Sequence, residues 1–87
     1  MNIVITGASS GVGFEAVLEL ILSNNNSVVA LARSADKLRT LNNIANALNP
    51  ECVLYPKQFD IIHDDYDTDL VPFVRQHVGT IDILINN

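Results

Sequence analysis

The sequence predicts an α/β fold, half of a doubly wound parallel sheet with strand order 3-2-1-4. Three observations predict it. Short apolar runs alternate with helical periodicity along the chain, and no repeat, low-complexity tract or linker interrupts them. The apolar runs are continuous rather than alternating, which is the pattern of strands covered on both faces. Helical crossovers between such strands are right-handed and impose parallel pairing.

Asn2–Thr6 is the first run, bounded by Gly7. From Gly13 to Leu22, Phe14, Val17, Leu18 and Ile21 fall at i, i+3, i+4 and i+7 and form one helix stripe. Asn24-Asn25-Asn26 is expected to end that helix, because asparagine tolerates the left-handed conformation of C-caps and turns. Ser27–Ala32 reads as the second buried strand. Ser34 is a good N-cap, and Leu38, Leu41, Ile44 or Ala45, and Leu48 carry the stripe of a second helix that Asn49-Pro50 stops. Cys52–Phe59 is a third strand, placed at an edge or a bulge by Pro56, which has no N–H for a ladder. A third helix covers roughly Asp65 to Val78 and ends at Gly79, starting late or kinked at Pro72. Ile81–Asn86 is the fourth strand. The switch point of the sheet then lies between the first and fourth strands, where ligands bind in such folds.

Bulk composition excludes several functions. Five basic and ten acidic residues give a net charge of −5, the wrong sign for nucleic acid. Five of those acids lie between Asp60 and Asp69, so the charge is local. Asp65, Asp67 and Asp69 imitate the opening of a calcium loop, but Leu70 and Gln76 stand where that loop needs glycine and glutamate. They read as a solvated acidic helix start. Cys52 has no second cysteine to bridge and no zinc-site neighbours. His63 and His77 have no signature linking them to a nucleophile and read as surface or packing residues. No run approaches the ~20 apolar residues of a membrane span, and the start lacks the basic region of a signal peptide. No membrane partner is expected, and a cytoplasmic, reducing location is.

The informative stretch is Thr6-Gly7-Ala8-Ser9-Ser10-Gly11-Val12-Gly13, where a strand turns into a helix. Its glycines permit a tight turn and close backbone approach, and the unpaired amides at the helix start carry roughly +0.5 of a charge. In a chain of charge −5, that is where an anionic cofactor would bind. The spacing of Gly7, Gly11 and Gly13 is G-x-x-x-G-x-G rather than the dinucleotide fingerprint G-x-G-x-x-G.

With its preceding threonine, this stretch resembles the nucleotide motif T-G-x-x-x-G-x-G of the classical short-chain dehydrogenases/reductases. Asp60 after the third strand resembles that family's adenine-contacting aspartate, and Asn86-Asn87 resembles the first half of its N-N-A-G motif. The resemblance covers the whole chain. It implies a Rossmann-type fold, of which residues 1–87 are expected to be the incomplete N-terminal half. It also implies roles: Gly7, Ser9, Ser10, Gly11, Val12 and Gly13 at the phosphates, and Asp60 on the adenine amino group with the backbone of Ile61 beside it. Asn87 would touch the adenosine ribose through its main chain, while Asn86 ties neighbouring strands together.

Cofactor choice rests on the end of the second strand. A carboxylate there hydrogen-bonds the ribose of NAD, while an arginine accommodates the 2′-phosphate of NADP. The sequence Leu31-Ala32-Arg33-Ser34 offers a guanidinium and a hydroxyl and no acid, so NADP(H) is favoured over NAD. Many NADP-using members also carry a basic residue where this chain has Ser10.

In the family, catalysis uses a serine and a Tyr-x-x-x-Lys motif beyond the N-N-A-G strand. Here Phe59 follows Tyr55, and Leu70 follows Tyr66, at the lysine spacing. The parent is therefore expected to move hydride between NADPH and a carbonyl or alcohol substrate, and these 87 residues alone to catalyse nothing. The alternative is a non-catalytic dinucleotide-binding or scaffold module. The resemblance implies a homo-oligomeric parent in which the fourth strand is central; in these 87 residues that strand is expected to be an exposed apolar edge through which copies self-associate.

Overall fold

The computed structural model describes all residues, 1–87. Four strands and three helices follow in the order β1 (Asn2–Ile5), α1 (Gly11–Leu20), β2 (Ser27–Ala32), α2 (Ala35–Leu48), β3 (Val53–Gln58), α3 (Val71–His77) and β4 (Ile83–Ile85). The strands form one parallel sheet in the order β3-β2-β1-β4, as expected.

Both faces of the two central strands are buried because side chains alternate across the pleat. Ile5, Val28, Ala30 and Ala32 face α1 and α2, packing with Val17, Ile21, Leu38, Leu41 and Ala45. Val4, Val29 and Leu31 face the other way, against Phe59 and Val74 of the α3 side. In α2 the stripe resolves to Leu38, Leu41 and Ala45. Ile44 is turned outward, and Leu48, the last residue of α2, is 55% exposed.

Several boundaries differ from expectation. The first helix starts earlier, at Gly11, and ends at Leu20, with Ile21 in right-handed geometry. No residue of the asparagine run has positive φ. Asparagine side chains do the capping instead: Asn26 Nδ2 donates to the Leu20 carbonyl, and Asn49 Nδ2 to that of Ile21. The strand at Cys52–Phe59 shortens to Val53–Gln58 and lies at the sheet edge, where the missing N–H of Pro56 is tolerated.

The third helix is two pieces. Asp65 caps a single π-helical turn, Tyr66–Leu70, accepting from the N–H groups of Asp67 and Thr68. Val71 N–H reaches back five residues to the Tyr66 carbonyl, and α3 begins there with Pro72 in its first turn. Proline is tolerated at that position because the first N–H groups of a helix have no intrahelical acceptor. Gly79 closes the helix with φ +83°. The fourth strand is shorter than Ile81–Asn86: just ahead of it, Asp82 N–H donates to the Asn2 carbonyl, but the Asn2 N–H is taken by the Asp82 carboxylate rather than by a β4 carbonyl. No helix is long and apolar enough to cross a membrane.

Candidate functional site

Parallel pairing gathers the carboxyl ends of all four strands on one side of the sheet. Ile5 pairs with Ala30 and Ile85, and Ala32 with Gln58, so Gly7, Arg33, Asp60 and Asn87 all emerge at the same end. A cavity of about 400 Å³ opens there, and Gly7, Ser9, Ser10, Arg33, Ser34, Asp60, Ile61 and Asn87 line it. Gly11, Val12 and Gly13 do not line it; they continue from Ser10 into the first turn of α1.

The glycine-rich turn is held from below by the two asparagines that follow β4. Thr6 Oγ1 donates to Asn86 Oδ1 and accepts from Asn87 N–H, each at 3.0 Å. Asn87 Nδ2 donates to the Gly7 carbonyl. Asn86 thus ties β1 to β4, as expected. Gly7 and Gly11 have φ of +63° and +57°, the left-handed region that favours glycine. Gly13 has a different reason: a Cβ there would stand 2.1 Å from the Gly7 carbonyl oxygen and 2.6 Å from Asn87 Nδ2.

Beyond that turn, the N–H groups of Gly11, Val12 and Gly13 find no acceptor in the chain, Ser10 makes no side-chain cap, and no acid stands in the first turn. These donors and the helix dipole make a site for an anion.

At the end of β2, Ser34 caps α2 by accepting from Lys37 N–H, which leaves its hydroxyl hydrogen free to donate. Lys37 lines the cavity with Arg33, and neither cation has a carboxylate partner. Sequence reasoning missed Lys37. Its signal was position, since a residue three past an N-cap lies one turn above it.

After β3, Asp60 is enmeshed in its own loop. Oδ1 accepts from Ile62 N–H at 2.9 Å and His63 N–H at 3.3 Å, and Oδ2 lies 2.9 Å from His63 Nδ1. The His63 imidazole, followed by the Ile62 N–H, holds the Asp60 carboxyl below the usual carboxylate range. His63 is a surface residue, as expected, and its ring is also paired with Asp60. His77 does pack, against the rings of Phe73 and Tyr55. Leu31, Ala32, Phe59, Ile61 and Ile62 add an apolar wall to the cavity. The acids after the loop have structural work: Asp65 is a cap and Asp69 pairs with Lys57 at 2.8 Å. Burial pushes the Cys52 thiol up, which disfavours its thiolate.

The sequence profile of the short chain dehydrogenase family matches residues 1–87. The chain belongs to that family. Among curated members, it is 31% identical to the short-chain dehydrogenase anuI of Penicillium roqueforti over 98% of this chain and 33% of that one. It is 32% identical to a probable NADP-dependent dehydrogenase of Dichelobacter nodosus, over 100% of this chain and 76% of that one. The first of these is typical: the chain spans about a third of the length of most curated family members it matches. A short chain dehydrogenase/reductase structure from Saccharomyces cerevisiae superposes with a TM-score of 0.79 at 29% identity, over 99% of this chain and 32% of that one. The NADPH dependent reductase of bacilysin biosynthesis shares the fold with a TM-score of 0.87 at 24% identity, over 99% and 35%.

Proposed function

We propose that this chain is the cofactor-binding part of a short-chain oxidoreductase that uses NADP(H) and moves hydride between NADPH and a carbonyl or alcohol. The observation that carries the cofactor choice is the pair Arg33 and Lys37, two cations without acidic partners on a cavity whose β2 end has no carboxylate. On a chain of net charge −5, two free cations converging on one cavity mark the place for a phosphate. Lys37 supplies the second positive charge that family members often carry where this chain has Ser10. The Dichelobacter relative, described as a probable NADP-dependent dehydrogenase, supports the same choice.

In this reading Arg33, Lys37 and the Ser34 hydroxyl hold the 2′-phosphate, and the free amides of Gly11 to Gly13 face the diphosphate with Ser9 and Ser10. Gly7 lets the backbone approach. Asp60 accepts from the adenine amino group beside Ile61, and the Asn87 main chain meets the ribose. Asp60 has the capacity: a carboxylate offers about four acceptor sites, and three donors occupy it within the loop. Bound NADPH supplies the hydride; this chain's residues bind and orient its adenosine end.

The test is binding of NADPH and NADH to the purified chain by calorimetry. NADPH is expected to bind at least tenfold tighter, and Arg33→Ala with Lys37→Ala to bring the two together, since each charge-assisted contact is worth roughly 1.5–3 kcal/mol. Equal affinities in the wild type overturn the NADP assignment.

Tyr55 and Tyr66 each lack a lysine four residues on, which favours a second reading for the chain by itself, a non-catalytic dinucleotide-binding module. No NADPH oxidation is expected from the 87-residue chain with any carbonyl. Residues 1–87 are assigned as one Rossmann-type half-domain, and its free thiol at Cys52 suits the reducing cytoplasm.

A further inference from the structure

We infer that His63 is a positioning residue for base recognition, holding the Asp60 carboxylate so that its last free acceptor site is presented to a 6-aminopurine. This rests on the cofactor reading above and adds to it a residue that the family pattern does not supply.

The argument starts from the chemistry of the pair. A carboxylate only accepts, so the ring donates to Oδ2 through Nδ1–H. Oδ1 is already committed to two backbone N–H groups, which fixes one oxygen but leaves the carboxylate free to swing the other about that anchor. The His63 ring, at 2.9 Å, removes that freedom. Three donors on about four acceptor sites leave one, and it belongs to Oδ2. A group lining the cavity with one remaining acceptor site can take one N–H, as a 6-amino group offers and a 6-oxo group does not.

The loop backbone does not need the imidazole. Asp60 N–H donates to Asp64 Oδ2, Asp64 N–H returns to the Asp60 carbonyl, and Tyr66 Oη donates to the Ile61 carbonyl at 2.7 Å. Tyr66 is itself fixed edge-on against the buried ring of Phe59. The His63 side chain is 78% exposed and packs nothing. Its one polar contact is Asp60, so its substitution acts on the orientation of that carboxylate and leaves the backbone contacts of the loop in place.

The experiment compares binding of NADPH and its hypoxanthine analogue, in which a 6-oxo group replaces the 6-amino group, by calorimetry on the full chain. The wild type is expected to prefer NADPH by about tenfold, the value of one hydrogen bond gained and one repulsive contact avoided. His63→Ala is expected to cut that preference about fivefold while circular dichroism shows the fold retained. His63→Asn, whose amide can donate at similar reach, is expected to restore most of it. The preference is the decisive readout, because a merely structural histidine would weaken both ligands alike. Equal loss for both ligands, or a preference unchanged in His63→Ala, overturns the inference while leaving the cofactor reading intact. A wild type that binds neither ligand overturns both.

Discussion

Gly13 and Gly11 are two residues apart, and steric demand separates their roles. At Gly13 a Cβ meets a carbonyl oxygen in a part of the backbone that cannot move without breaking the Asn87–Gly7 contact. Gly13→Ala is therefore expected to cost about 3 kcal/mol, the upper end of the range for overpacking, in urea unfolding. Gly11 has open space around its missing Cβ but a φ of +57°. Gly11→Ala costs only the left-handed penalty, about 1–2 kcal/mol. Equal costs would mean that the Gly7–Gly13–Asn87 contact does not exist in solution. Asp60 supplies a pH dependence whose sign follows from its depressed carboxyl. A group whose folded pKa lies below its unfolded one stabilises the fold above the unfolded value, and loses that contribution as pH falls through the folded one. Thermal melts are expected to show the wild type losing stability relative to Asp60→Asn as pH drops below about 4, with a constant difference near neutrality. Parallel melting curves across that window would remove the His63–Asp60 pair from solution. At this scale the sequence is legible where a residue acts through its own backbone geometry or chemical type, as Ser34 and Gly7 do. It is not legible for Lys37 and His63, because only the fold shows that one lines the cavity and the other pairs with Asp60.

Element by element, periodicity carries the fold because one buried face is enough to orient a helix or strand. The two central strands and α2 fall within a residue or so of expectation because continuous apolar runs and a helix flanked by Ser34 and Asn49-Pro50 admit few alternatives. The stripe of α2 also shows where periodicity stops being informative. Leu41 is fully buried while Leu48, one heptad on, is 55% exposed, and nothing in the sequence distinguishes them. Leu41→Ala is expected to cost about 2–5 kcal/mol and Leu48→Ala less than about 0.5 kcal/mol. Similar costs in chemical denaturation would contradict the packing of α2 on the sheet. The π-helical turn before α3 was not legible, because Pro72 signals an interruption without saying which helical register precedes it. Nor was the capping of α1, where the asparagines act by side chains across the loop rather than by backbone conformation.

Across the whole molecule the two edges of the sheet are unlike. The β3 edge carries Pro56, which cannot donate to a ladder, and Lys57, whose ammonium is tied to Asp69 over the Phe73 ring. Both features discourage pairing with another strand. The β4 edge has neither. Ile83 is 38% and Leu84 63% exposed, and beside them Val4, Leu70, Val74 and Ile81 line an apolar groove of about 590 Å³. That groove is larger than the cavity at the strand ends, but it carries a single cation, Arg75, against Arg33 and Lys37 there, and no residue from Gly7 to Gly13 lines it. Its chemistry is that of a packing surface. An open strand edge with apolar side chains on one side templates pairing with a further strand, and at high concentration a second copy supplies one. The chain is expected to self-associate through β4, with sedimentation showing a mass that rises with concentration. Leu84→Lys places a charge in the middle of that edge and is expected to give a monomer with an unchanged fold by circular dichroism. A wild type that stays monomeric throughout, or a Leu84→Lys variant that associates as strongly, removes β4 as the contact. Because the cofactor cavity opens at the carboxyl ends of the strands and the apolar groove lies against α3, NADPH affinity is expected to be the same in Leu84→Lys as in the wild type. Association at β4 and binding at the glycine-rich turn then separate in one variant.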